Sequence, residues 1–150
     1  MFRKTILTTF FILGLFTAFQ AHAHDGATGV VKERMDLMKV IGKNTKAIAP
    51  IAMGAADMDL KAVEKGAMAI SRAAKLVVDK FPKGSISMVS EAKENIWTNW
   101  EEFSGQLNMM AIDANNLAKL AQDQEEFELL EAFEKLVAGC KKCHREYRQK

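Results

Sequence analysis

The run Cys140-Lys141-Lys142-Cys143-His144, close to the C-terminal end, sets the strongest condition on how this chain folds. A Cys-x-x-Cys-His spacing is the attachment signature of a c-type haem. The two thiols add across the vinyl groups of the macrocycle as thioethers, and the next residue's imidazole reaches the iron from the same side. On a helix Cys140 and His144 are four residues apart and share a face, with Cys143 on the neighbouring stripe. One helical turn then holds macrocycle and metal together, and the rest of the chain is organised around it.

Three other readings of the cysteine pair compete. A thioredoxin-like redox motif opens a helix after a strand, and no such strand is indicated here. Half of a zinc site needs further ligands, yet the chain has only these two cysteines, and only His24 is a further histidine beyond the first 23 residues. A disulfide between residues this close is tight and strained. The immediately following His144 favours haem over all three.

The N-terminal stretch, 1–23, reads as a cleaved export signal. Arg3 and Lys4 form a basic start, Ile6 to Phe19 an apolar core, and Ala21-His22-Ala23 a small-residue cleavage site. The apolar run falls short of the roughly 20 residues that a membrane span needs. The mature domain, 24–150, is then expected to begin at His24 and to work in a bacterial periplasm. Taking 23 residues from 150 leaves 127, one domain's worth, and the formal charge falls from +2 to zero because only Arg3 and Lys4 are lost. That balance gives no support for nucleic-acid or membrane-surface binding. With no cysteines to spare for disulfides, stability must come from a packed core and the covalent cofactor.

After a short polar opening the periodicity is helical throughout. A first helix, about Gly29 to Met53, carries Val31, Arg34, Met38, Ile41, Thr45 and Ile48 at spacings of three and four. Asp57 or Asp59 can cap a second, with Leu60, Val63, Ala67, Ile70, Ala74 and Val77, which ends at Phe81-Pro82. Ile86 to Lys93 reads as a loop. A third helix, about Glu94 to Gln122, lines up Ile96, Trp100, Phe103, Leu107, Met110, Ala114, Leu117 and Ala121. The fourth, about Glu125 to Arg148, lines up Leu130, Phe133, Val137, Cys140, His144 and Tyr147. Such stripes with mostly short corners predict an all-α fold, an antiparallel up-down four-helix bundle with a covalently bound haem c inside it. The fourth helix ends where the first begins, which directs attention to Arg34 and Met38.

Together these pieces resemble the cytochrome c prime family, itself one of the up-down bundles by which this architecture is known. The matching segments are Arg34-x-x-x-Met38-Lys39-x-Ile41-Gly42, Phe81-Pro82-x-Gly84-Ser85, Ile96-Trp97, and the haem motif through Arg148. The resemblance spans essentially the whole mature chain. It implies one haem c held by Cys140 and Cys143, with His144 as proximal iron ligand and Arg34 against a haem propionate, where a planar cation suits a carboxylate. On helix grounds alone Arg34 is equally an arginine snorkelling beside a core stripe. Arg148, one turn after His144, stands where its charge lowers the imidazole's basicity and biases the iron's potential, or where it simply complements the helix dipole.

Met38 matches the family position facing the distal side of the iron. It is either a gatekeeper over an open sixth site or a thioether ligand as in the low-spin members. With nine methionines in the chain, a methionine at helical spacing is also an ordinary core residue. The reading leans slightly to an open or weakly blocked site that binds nitric oxide and carbon monoxide, with or without a part in electron transfer. The alternative is a His144/Met38 electron carrier whose redox partner is not specified by any charge pattern. A homodimer is a further implication of the resemblance. A peroxidase-like enzyme is disfavoured, because only Arg34 among acid–base candidates approaches the distal side. Trp97, Trp100 and Phe103 are expected in the core and against the haem.

Overall fold

The computed structural model describes residues 26–149. The expected leader, 1–23, and His24 lie outside the described residues. Helix α1 runs Gly29–Ala52, α2 Leu60–Val77, α3 Asn95–Thr98, α4 Trp100–Gln122 and α5 Leu129–Tyr147. No β-strand occurs among the described residues; a single antiparallel bridge joins Ala92 to Arg148. With α3 and α4 taken as one column, the architecture is the expected four-helix bundle.

Local chemistry explains the corners. Pro50 lies in the last turn of α1, and Gly54, at φ +68°, reverses the chain just beyond it. Asp59 caps α2, its Oδ1 accepting from the Ala62 N–H at 2.9 Å. A single 3-10 turn, Val78–Lys80, tightens the end of α2 before Phe81-Pro82 stops it. Gln124 takes φ +64° at the corner between α4 and α5.

Three of the four lateral interfaces are well made and the fourth is open. The second and fourth helices approach through small side chains, among them Ala67, Ala74, Ala111 and Ala114, all buried. Ser71 Oγ donates across this interface to the Ala111 carbonyl at 2.8 Å. On the other flank, a Cβ on Gly66 would stand 3.0 Å from Ile48 Cδ1, so glycine there permits α1 to close on α2. Helix α4 packs on α5 through Leu107, Leu117, Phe133 and Leu136. By contrast, α1 and α5 barely touch.

Two expectations need correction. The third helix is not continuous: Asn99, at φ −114° and ψ 38°, breaks it, and Trp100 on the far side of the break is 38% exposed rather than in the core. The inward stripe of α5 is displaced by one residue at two places. Leu129 and Leu136 are each 1% exposed, whereas Leu130 is 45% exposed and Val137 is half-buried. Both Leu129-Leu130 and Leu136-Val137 are adjacent apolar pairs, so either member satisfies a three-four spacing. Only the facing helix selects between them. Accordingly, Leu136→Ala should cost about 2–5 kcal/mol of unfolding free energy and Leu130→Ala within about 0.5 kcal/mol, as read by urea denaturation of the haem-loaded protein. Equal losses at the two positions would restore the displaced stripe.

Candidate functional site

The seam left between α1 and α5 is a cleft of about 390 Å³, floored by α4 and closed at one end by the loop 89–92. Cys140, Cys143 and His144 line it from α5, and Arg34, Met35, Met38 and Gly42 from α1. The motif is thus brought opposite the residues of the first helix that the sequence singles out. Met38 is half-buried on the α1 wall. His144 is exposed at the cleft, with Arg148 and Glu91 beside it in the lining.

Desolvation at the cleft sets the protonation of the motif's side chains. Both cysteines are free thiols. Burial raises the Cys140 pKa and pushes that of Cys143 up to about 11, the neighbouring Cys140 adding to the effect. At neutral pH both sulfurs are therefore neutral thiols, the groups that would hold a haem through thioethers. Although His144 is exposed, partial desolvation at the cleft wall lowers its pKa, the charge of Arg148 lowers it further, and Glu91 opposes them. The imidazole is accordingly neutral at pH 7 and has a lone pair for a metal.

Shape and polarity also fit a haem. Gly42 and Gly139 face the cleft from opposite helices, and a Cβ on either would meet nothing within 4 Å. A mid-helix glycine costs about 0.5–1 kcal/mol relative to alanine, a cost that backbone packing does not explain at these two positions. They leave room for a group lying close to the backbone. Phe103 and Tyr147 meet edge-on at 5.2 Å and Phe81 and Phe103 at 4.8 Å, which builds an aromatic end wall. Within it, the Tyr147 hydroxyl and Gln106 Oε1 are buried with no hydrogen-bond partner among the described residues. Burial, with Glu102 and Glu146 nearby, pushes the Tyr147 pKa up to about 12. With Glu146 beside the tyrosine, it is Gln106 Oε1 on the cleft wall that fits a polar group from outside the chain.

Arg34 is the most constrained polar residue of the site. It is 3% exposed, its guanidinium carbon lies 4.8 Å from the Phe81 ring centroid, and burial lowers its pKa. Nη1 donates to Ser85 Oγ at 2.9 Å and, at the limit, to the Lys80 carbonyl at 3.5 Å. Nη2 donates to the Ser85 carbonyl at 2.7 Å and to Ser90 Oγ at 2.5 Å. Among the described residues no carboxylate lies within ion-pair distance of it. Arg34 is neither a snorkelling side chain nor a free cation: it ties the loop after α2 to the first helix. Trp97 adds a second tie, Nε1 donating to the Phe81 carbonyl at 2.9 Å.

Several lining residues go beyond what the sequence singles out. Met35 precedes Met38 by three on the same wall, and Met110 Sδ stands 3.9 Å from Cys140 Sγ. Met110 lies on the expected stripe, where its spacing marks it only as core. Ser90 and Glu91 belong to a loop without periodicity, so spacing holds no signal for them. Replacement of Arg34 by Met, which keeps the bulk and removes the donors, should destabilise the haem-loaded protein by on the order of 3 kcal/mol, and Lys should recover only part of it because an ammonium lacks the planar fork. Urea titration decides; a loss under about 1 kcal/mol, the worth of one ordinary hydrogen bond, would show that the loop stands without Arg34.

Comparisons with known proteins agree with this picture. The family model described as Cytochrome C' matches residues 29–148. A cytochrome c-556 of Agrobacterium tumefaciens is 37% identical over 123 residues, covering 81% of this chain and 98% of the relative. A cytochrome c' of Rhodopseudomonas palustris is 28% identical over 124 residues, covering 82% and 84%. The solved structure of recombinant native cytochrome c prime from Alcaligenes xylosoxidans matches with a TM-score of 0.74 at 22% identity, over 81% of this chain and 94% of that one, a likeness of fold.

Proposed function

The chain belongs to the cytochrome c prime family, and on that premise we propose that it is a periplasmic electron carrier, not an enzyme, with His144 and Met38 as the axial pair of its single haem c. Membership of the family carries the covalent haem and its iron; the export signal at 1–23 and the axial pair are our reading. The haem supplies one-electron exchange at the iron. The chain's own residues attach, orient and shield it.

In this reading Cys140 and Cys143 form the thioethers, each S–H adding across a vinyl C=C with no net oxidation. His144 offers its lone pair from the same helical face. Arg34 supplies positive charge to a propionate: it is a buried cation without a carboxylate partner among the described residues, so an anion from outside the chain balances it. Its Nη hydrogens already serve the loop, which leaves Nε–H and the charge itself for that task. Arg148 places a second positive charge near the proximal imidazole.

The observation that supports Met38 as ligand is its position. It stands on the α1 wall of a cleft whose α5 wall holds His144, where the two helices do not close on each other. Of the α1 residues lining the cleft, only Met38 and Met35 present a soft, neutral donor. A His/Met pair raises the potential and suits electron transfer. The greater identity to a cytochrome c-556 than to a cytochrome c' is compatible with a site unlike that of the latter.

A second reading keeps the sixth position open for nitric oxide or carbon monoxide, with Met38 as gatekeeper. It is favoured by the apolar character of the α1 wall beside Met38, where half-buried Met35 and buried Ile41 line the cleft. The visible spectrum of the ferrous protein separates the two. Sharp, split low-spin bands indifferent to carbon monoxide are expected, and Met38→Ala should turn them broad, high-spin and gas-responsive, while Met35→Ala leaves them unchanged. A broad spectrum in the unaltered protein that responds to the gas would instead establish the open site.

A further inference from the structure

The end of α5, which carries the haem motif, is held by a segment far away in sequence. The last carbonyls of a helix lack partners within it. Here Lys93 Nζ donates to the carbonyls of Arg145 and Glu146 at 3.3 and 3.1 Å, and Asn95 Nδ2 reaches the Glu146 carbonyl at 3.4 Å. The Lys93 N–H donates to the Tyr147 carbonyl at 3.0 Å, and the Gln149 N–H to that of Glu91 at 2.7 Å. Beyond the last turn, Arg148 donates from both Nε and Nη2 to one oxygen of the Glu91 carboxylate, the first at 2.5 Å.

Glu91 and Arg148 line the cleft together with His144. Neither is needed to close the core, since Arg148 is exposed and Glu91 half-exposed. An exposed arginine just past the last turn of a helix, left free, would spread its charge over solvent, where the field at a site several ångströms away is screened. Gripped by both Nε and Nη2, it stands in one place. Ser90, the residue before Glu91, is gripped in turn by Arg34 Nη2, so the anchor of Arg148 is itself anchored to α1.

We infer that Glu91 is a positioning residue for the proximal side of the haem: by holding Arg148 at the end of α5 it fixes that positive charge relative to His144 and so sets the reduction potential of the iron. The inference rests on haem attachment at Cys140, Cys143 and His144 and not on which group takes the sixth position.

The test is a double-mutant cycle on the haem-loaded protein, with covalent haem counted first in each variant by its pyridine haemochrome spectrum. In the native background Arg148→Gln lowers the midpoint potential, because loss of a nearby positive charge disfavours the reduced iron. In the Glu91→Gln background the same substitution shifts the potential by less than half as much, whereas in the Glu91→Asp background, which keeps the anion, most of the shift remains. Equal shifts in the native and Glu91→Gln backgrounds, with only the melting temperature lowered by Glu91→Gln, would show a structural staple and overturn the proposal. A variant that leaves Glu91 in place guards against a failure of Glu91→Gln to fold. Arg148→Lys keeps the charge but not the two-pronged grip, and should reproduce most of the Arg148→Gln shift; an unchanged potential in Arg148→Lys would overturn the proposal as well. Absence of covalent haem from the native chain would remove the attachment on which it depends, a failure distinct from additive potentials.

Discussion

Close packing of α2 against α4 through alanines underlies everything else in the fold. With small side chains between them, the two middle helices approach closely and form a rigid spine. The outer helices, α1 and α5, each lie against one side of that spine and have no comparable contact with each other. A bundle that closed on all four sides would bury more apolar surface but would leave no room for a flat macrocycle. The open seam is therefore the fold's functional feature, and Gly42 and Gly139 widen it at the cost of weaker helix propensity on both walls.

Electrostatics at the two ends of the seam follow different rules. Arg34 is desolvated and balanced by neutral acceptors only, two carbonyls and two serine hydroxyls. Such an arrangement keeps a net positive charge inside the protein, which is tolerable when its donors have partners and an anion approaches from outside. Arg148 is solvated and paired with a full negative charge, and the pair holds both groups at the cleft beside His144. One buried cation thus has no counter-charge among the described residues, while one exposed cation has its own.

The loop 81–94 connects these two ends. It receives Arg34 at Ser85 and Ser90, and Trp97 at the Phe81 carbonyl, and it gives donors and an acid to the end of α5. With α1 and α5 barely in contact, the loop carries the register between the two cleft walls. A segment without regular secondary structure thus holds a buried hydrogen bond on its α1 flank and a part-buried one on its α5 flank.

Much of this is already legible in the residue order. The haem motif, the four helical stripes, the stop at Phe81-Pro82 and the inward placement of Arg34 all follow from spacing and residue type, because a helix puts i, i+3 and i+4 on one face wherever it lies. Spacing does not choose between Leu129 and Leu130, or place Trp100 at the surface, because adjacent apolar residues satisfy the same period until a partner helix selects one. Nor does it disclose Ser90, Glu91 or the clasp at Arg148, since these contacts join residues more than fifty positions apart through a loop that has no period to read. Residue order settles which chemistry the chain carries and, to within one residue, which face of each helix turns inward. Which charges meet is left to the packed molecule, because ion pairs and hydrogen bonds act over a few ångströms and depend on how the helices bring distant segments together.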